Sequence, residues 1–392
     1  TYSYYESSGR YIEKPVIIPD RIQLSNLRWQ TVSSWNAGLD LNLFRYRLNI
    51  TADIYRKVTK DLLWENYSIP ESSGYSTLDY FNGGEIQNVG WEFFINGLVL
   101  DQDDLQFSMN FNISQNVNSF LSFPDNFQTE RGISIGNGIY PRKAEVGKPI
   151  GSFYGFRYLG VYPTDESAVA RNEEGEVMHD GNGNPIQMTY METYEFQAGD
   201  AIYEDINHDG KIDIMDAVYI GNSSPEFIGG FGTTFNYKQI TASVNFHYRL
   251  GFDIVNEVAI ETEGMLDRNN QSKAVLRRWR RYGQDEENLL PRAYLNHPCN
   301  NLGSDRYVER GDFLRLNSIN LSYRFDSKKI KQRFKINSLD LGVTLRNVLT
   351  LTNYTGQDPE IGRVGRNPFF LGRDNARTPP PRIFSVRVNL NF

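Results

Sequence analysis

The sequence predicts an all-β chain: an antiparallel transmembrane β-barrel segment of about ten or eleven strands with long loops. Three observations point there. The C-terminal run Ile383–Phe392 alternates apolar and polar residues without a break over 10 positions, where a tilted transmembrane strand needs about 9–11 and a soluble strand is usually about 5–6. Similar alternation recurs along the chain. The connections between strands are short and long in turn, as in outer-membrane barrels.

In the final run Phe384, Val386, Val388, Leu390 and Phe392 share one face, and Ser385, Arg387, Asn389 and Asn391 the other; period two is the signature of a strand with one apolar and one polar side. Phe392 ends the chain on the apolar face and is expected to serve as a barrel-assembly signal. Leu39, Leu41 and Leu43 alternate with Asp40 and Asn42. Leu48, Ile50, Ala52 and Ile54 alternate with Asn49, Thr51 and Asp53. Leu105 through Ile113, Ala242 through Tyr248, Ile319 through Phe325 and Leu339 through Leu345 repeat the pattern. Phe44-Arg45-Tyr46, Asp101–Asp104 and Lys238-Gln239 are expected to be tight turns. Long connections are expected near 62–85, 118–151, 163–225, 251–311 and 349–381. Periodicity alone leaves a soluble β-sandwich open, since its polar face would meet water. Strand length, connection asymmetry and the terminal Phe favour the barrel.

Composition narrows the function. Aromatic residues make up 14% of the 392 residues, too many for a disordered chain. A net charge of −7 and a pI near 5.3 speak against a nucleic-acid-binding surface. The single cysteine, Cys299, excludes an internal disulfide and any CxxC site, and His179, His208, His247 and His297 are too scattered for HExxH. No apolar run reaches 18 residues and mean hydropathy is −0.52, so no helix is expected to span a membrane. No catalytic motif stands out, and no enzyme activity is expected. The chain begins at Thr1 without an initiator Met or signal peptide and is expected to be a piece of something longer.

The sharpest local motif is Asp205-Ile206-Asn207-His208-Asp209-Gly210-Lys211-Ile212-Asp213-Ile214-Met215-Asp216. Oxygen side chains at positions 1, 3, 5, 9 and 12, with Gly at 6, suit a structural Ca²⁺ loop. Asp205, Asn207, Asp209, Asp213 and Asp216 would supply side-chain oxygens, Lys211 its carbonyl, and Ile212 an anchor. Gly181-Asn182-Gly183-Asn184-Pro185 is expected to turn at the tip of an acidic excursion. Gln271–Tyr282 is the one stretch that reads as a helix, with Ala274, Val275, Leu276 and Trp279 roughly on one side. Its Arg277, Arg278, Arg280 and Arg281 form either a solvated face or a grip for a partner protein, an anionic lipid or a sugar acid.

Gly199–Asp213, followed by Ile220-Gly221-Asn222 and Pro225-Glu226-Phe227, resembles the SusC/RagA family of TonB-linked outer-membrane transporters of Bacteroidetes. Similar too are Leu27–Gln30 with Asn36–Asp40, Asp53–Lys57 with Thr59–Leu63, Gly151–Gly155, Phe313–Leu316, Leu349–Tyr354 with Asp358-Pro359-Glu360, and Pro381-Arg382. The segments fall in family order along nearly the whole chain, 1–392, and match the C-terminal part of the barrel. The Glu166–Glu195 excursion departs from the plain pattern. The resemblance implies part of a plugged barrel of about 22 strands, embedded in the lipid bilayer of the outer membrane, with residues 163–225 as a long extracellular loop carrying the calcium-type motif. It further implies uptake of oligosaccharides, or of peptides in some relatives, beneath a SusD-like surface lipoprotein. Energy would come from the TonB complex through a plug that, like the TonB box and the N-terminal barrel half, lies outside this chain. A soluble glycan-binding sandwich and a β-type carbohydrate-active enzyme are the rival readings.

Overall fold

In the computed structural model the described residues are 4–11, 14–21, 24–68, 77–124, 134–141, 143–325, 335, 337–360 and 371–391. Nine long strands form one sheet: β1 (Thr31–Leu43), β2 (Leu48–Lys60), β3 (Glu85–Gln102), β4 (Leu105–Ser122), β5 (Phe227–Tyr237), β6 (Ile240–Leu250), β7 (Phe313–Phe325), β8 (Ser338–Thr352) and β9 (Ile383–Asn391). Strand order in space follows the chain from β1 to β9, and every pairing is antiparallel. Two more strands, Tyr4–Tyr11 and Lys14–Arg21, pair as a separate hairpin outside this nine-stranded sheet.

Connections alternate strictly. Residues 44–47, 103–104, 238–239 and 326–337 join strands at one end, whereas 61–84, 123–226, 251–312 and 353–382 join them at the other. The first turn places Phe44, Arg45 and Tyr46 in the left-handed region, at φ 51, 58 and 66. The long segments expected at 118–151 and 163–225 are one connection. The residues between them form only short loop strands, such as Ser152–Gly155 paired with Val218–Asn222.

Register aligns the apolar residues into rows. Leu41, Ile50, Ile95, Phe111, Phe231, Phe246, Leu316 and Leu349 stand opposite one another across eight successive strands. Phe231 and Phe246 stack, with ring centroids 4.6 Å apart. These rows meet no second sheet. Phe384 is 66% exposed and Val388 57%, and every residue of β1 and β9 is exposed. The sandwich alternative required this face to be buried and is overturned by that exposure. Tyr248 on β6 crosses to Gly229 on β5 and donates its hydroxyl to the Asn112 carbonyl at 3.1 Å. A Cβ at Gly229 would come 2.4 Å from that hydroxyl, so the ring occupies the space a side chain would take.

The buried apolar clusters gather where the long connections pack together. The largest joins Phe156, Tyr162, Phe196, Tyr203, Ile212, Cys299 and Leu302. The one α-helix among the described residues is Glu257–Glu263, capped by the Asn256 side chain on the Ala259 N–H. The helix expected at Gln271–Tyr282 is only a 3₁₀ turn at Lys273–Arg277. Beyond it the Trp279 N–H bonds the Leu290 carbonyl, and the Leu290 N–H bonds the Arg277 carbonyl. A helix this short is marginal alone, and pairing to a distant segment replaces it.

A charge on the apolar face should cost more than one on the polar face. Phe231→Arg is expected to destabilise the full-length protein refolded in lipid by about 2–4 kcal/mol, the range for a midplane cation. Thr234→Arg, on the other face, should cost under about 1 kcal/mol. Denaturant titration in bilayers measures both, and equal costs would contradict a lipid-facing apolar surface.

Candidate substrate-facing wall and loop site

The opposite face of the sheet carries rows of amides and hydroxyls among charged residues, such as Asp53 opposite Glu92 and Arg324 paired with Asp340. Asn42, Asn49, Asn96, Asn110, Gly232, Asn245 and Ser318 form a continuous cross-strand row. The Asn245 amide donates to Ser318 Oγ at 3.2 Å. A Cβ at Gly232 would lie 2.5 Å from Asn245 Oδ1 and 3.2 Å from Asn110 Nδ2, so glycine leaves room for both neighbouring amides. A second row runs Ser108, Thr234, Ser243, Asn320, Thr344 and Ser385, with Thr344 Oγ1 donating to Asn320 Oδ1 at 2.8 Å. Amides and hydroxyls both donate and accept hydrogen bonds, so these rows can hydrogen-bond a polar solute.

At the long-connection end the face carries a cluster of charges. His247 on β6 stands directly opposite Arg315 on β7, and Arg249 lies two residues along from His247. Asp358 and Glu360, from the connection after β8, reach these groups. The Arg315 guanidinium donates to both Asp358 oxygens, at 2.6 and 2.8 Å. Glu360 lies 3.1 Å from Arg315 and 3.3 Å from both Arg249 and His247. His247 thus faces the polar side, as its alternation predicts.

Above the wall, a buried carboxylate ties the loops together. Asp200 is 0% exposed. It accepts from Arg292 Nε at 2.8 Å, Tyr194 Oη at 2.8 Å, the Gln197 N–H at 3.0 Å and Asn300 Nδ2 at 3.3 Å. His297 Nδ1 accepts from the backbone N–H groups of Cys299 and Asn300, which leaves Nε2 to donate to Asp200 at 3.0 Å. Burial alone would raise the Asp200 carboxyl, but His297, Tyr194 and Arg292 together hold it below its ordinary value. Cys299 is fully buried beside this network, and burial pushes its thiol up, in keeping with an inert side chain.

The calcium-type loop packs against the same core. Gly210 takes φ +80, and a Cβ there would come 2.9 Å from Ala170 Cβ. Ile212 is fully buried. Asp205 accepts from the Asp209 and Gly210 N–H groups at 3.3 and 2.8 Å, Asn207 from Asp209 at 3.3 Å, and Asp209 from Lys211 at 2.9 Å. Asp213 accepts from Met215 at 2.7 Å. Asp216 closes the loop on the Ile206 and Asp213 N–H groups, both at 2.9 Å. Burial pushes Asp216 up to about 6, with the charges of Asp205 and Asp213 acting in the same direction; Asp205 is raised as well. The Lys211 ammonium pairs outward with Glu192. The oxygen donors suit a hard cation, and burial is the first cause of the raised Asp205 and Asp216 carboxyls. Among the described residues, no three acidic, histidine or cysteine side chains are placed to hold a metal ion.

Of the other residues singled out in the sequence, Trp279 packs on Gly199, where a Cβ would meet its ring at 2.6 Å. Arg278 and Arg280 bond the Val275 and Leu276 carbonyls, while Arg277 and Arg281 are exposed. His179 bridges to Pro185 across the turn of the acidic excursion, where Asp180 accepts from the Asn182 and Asn184 N–H groups at 2.8 Å. Phe392, expected to serve as a barrel-assembly signal, lies outside the described residues. Sequence reading missed both charged networks. In the sequence Asp200 stands out only within the Gly199–Asp213 resemblance, and Asp358-Pro359-Glu360 only as another point of resemblance.

No family model matches the chain. Among curated proteins, TonB-dependent receptor P39 of Formosa agariphila is 31% identical over 398 residues, covering 95% of this chain and 36% of the relative. The TonB-dependent receptor SusC of Bacteroides thetaiotaomicron is 25% identical over 382 residues, covering 94% and 32%. The chain thus spans about a third of the length of these relatives. Among solved structures, the RagAB peptide transporter superposes on all of this chain and 38% of its own with TM-score 0.72 and 19% identity. The open-open state of the RagAB peptide importer does so with TM-score 0.72 and 17% identity. These likenesses show the same fold: an antiparallel barrel wall.

Asp200→Asn removes the charge opposite Arg292 and is expected to cost the loop layer about 3 kcal/mol, as when one member of a buried pair is lost. Because the folded-state pKa of Asp200 is depressed below the ordinary 3.8, its stabilisation is present above that value and is lost as pH falls through the lower one. Proteolysis of residues 163–226 in the full-length protein should therefore accelerate in the variant at neutral pH and in the parent only at pH below about 4. Identical cleavage of parent and variant at neutral pH would contradict the role given to Asp200.

Proposed function

Because the chain belongs to the SusC/RagA family of TonB-dependent receptors, we propose that it forms part of the barrel wall of an energised outer-membrane importer. The relatives are receptors and transporters, not enzymes, and wall and loops divide the work accordingly. The apolar rows face lipid and the amide rows face the lumen. The short turns lie on the periplasmic side and the long connections, including 163–225, on the extracellular side. A SusD-like lipoprotein covers the long connections, and the TonB complex acts through a plug seated against the polar face.

The cargo we assign is an oligosaccharide. The observation that carries this is the row from Asn42 to Ser318, whose amides and hydroxyls offer both donors and acceptors to a hydroxyl-rich solute. A peptide is the second reading, favoured by the superposition on a peptide transporter. Uptake of labelled oligosaccharides and peptides by cells carrying the full-length receptor and its lipoprotein tests both. TonB-dependent accumulation of oligosaccharide is expected. Asn110→Leu with Asn245→Leu should reduce it severalfold without lowering the receptor level. Accumulation of peptide alone would favour the second reading.

We also assign a structural Ca²⁺ to the loop 205–216, with Asp205, Asn207, Asp209, Asp213, Asp216 and the Lys211 carbonyl as ligands. The support is the oxygen donor set together with the raised Asp205 and Asp216 carboxyls. Calcium should slow proteolysis near Gly210 in the parent and have no effect on Asp205→Ala with Asp209→Ala. Calorimetry showing no calcium-dependent difference between the two proteins would refute the assignment.

A further inference from the structure

At the rim of the polar face, His247, Arg249 and Arg315 are held by carboxylates from the strap Asn353–Glu360. The strap is braced. Tyr354 donates to Asp374 Oδ2 at 2.7 Å, and the Glu360 N–H bonds Asp358 Oδ1 at 2.8 Å. Pro359, between the two acids, has a fixed φ. Both carboxylates therefore enter the cationic seat as one unit.

The seat is built to hold an anion. Arg315 is 2% exposed, and its guanidinium stacks over the Phe313 ring at 5.3 Å. Phe313 also meets His247 edge-on, with centroids 5.3 Å apart. The Nε groups of Arg315 and Arg249 are buried and have no hydrogen-bond partner among the described residues, so the seat has donors that the strap does not use. Two guanidiniums face two carboxylates. An arginine stays charged at any relevant pH, and a buried charge stripped of its partner is costly. The strap therefore leaves readily only if another anion takes its place.

We propose that this seat is a binding site for a carboxylate borne by the cargo, and that Asp358 and Glu360 are its built-in competitor. This rests on the importer reading and narrows its cargo to acidic molecules, either acidic oligosaccharides or acidic peptides. The seat lies at the long-connection end of the wall, so arriving cargo meets it before the neutral amide rows. Exchange of the strap's carboxylates for those of the cargo keeps anions opposite the two guanidiniums while the strap is free.

The test compares the full-length receptor with its Asp358→Asn, Glu360→Gln variant. Binding is measured by calorimetry for trigalacturonate against its methyl ester, and for a glutamate-containing hexapeptide against its glutamine, C-terminally amidated counterpart. With the competitor neutralised, affinity for at least one acidic probe should rise tenfold or more while its neutral counterpart is unchanged. The probe that responds identifies the source of the carboxylate. Adding Arg249→Gln should abolish the gain. Should the double variant fail to fold, judged by heat-modifiable gel mobility, Glu360→Gln alone is used in the same comparison. Equal shifts for acidic and neutral probes, or no gain for either acid, overturn the seat. TonB-dependent uptake by the parent is read separately. If uptake is intact but the variant does not discriminate by charge, only this inference fails; if the parent shows no uptake, the importer reading fails and takes the seat with it.

Discussion

The structure depends on one constraint: a single curved layer with an apolar face and a polar face cannot bury either by itself. Its backbone is satisfied strand to strand, each strand bonding the next in the chain. Its side chains need two different surroundings. The apolar rows lie in register and range from half-buried to exposed, a surface that water penalises by roughly 25 cal/mol for each Å². Lipid removes that penalty on one side, and an enclosed aqueous space suits the amides on the other. The backbone groups at the outer sides of β1 and β9 call for further strands, because unpaired N–H and C=O groups are not tolerated in hydrocarbon.

The loop layer solves a different problem. Its segments meet water and must hold together by ordinary means, so the buried clusters around Phe156, Phe196, Ile212 and Leu302 lie there. Asp200 is its polar counterpart, gathering donors from Tyr194, Gln197, Arg292, His297 and Asn300. The two layers meet where Asp358 and Glu360 descend onto Arg315, which joins a loop built for an aqueous surface to a wall built for a bilayer.

The wall was readable in the sequence because period two is a local signal: Leu39 to Leu43 or Phe384 to Leu390 declare their face without reference to anything else. The tight turns were readable for the same reason. The loop layer was not, since its decisive contacts join residues far apart in the chain. Arg292 reaches back 92 positions to Asp200, and Arg315 forward 43 positions to Asp358. The expected helix at Gln271–Tyr282 failed for the same cause: Trp279 found Gly199 and Leu290, partners that no local periodicity could announce. The calcium-type loop falls between the two cases. Its spacing is local, and so is its closure by Asp216 on Ile206. The burial that raises Asp205 and Asp216 comes from the surrounding core.

Each wall strand pairs with the one made just before it, and across three of the turns only a few residues intervene. Between β4 and β5, by contrast, stand residues 123–226. Each doubling of such a connection adds only about 0.6 kcal/mol of closure entropy, so its length is no thermodynamic obstacle. The pairing of β4 with β5 does not depend on a short turn between them, and the core of 123–226 closes only with Cys299 and Leu302 from 251–312. Wall and insertion are therefore separate folding problems, the first solved by neighbours in the chain and the second by segments far apart.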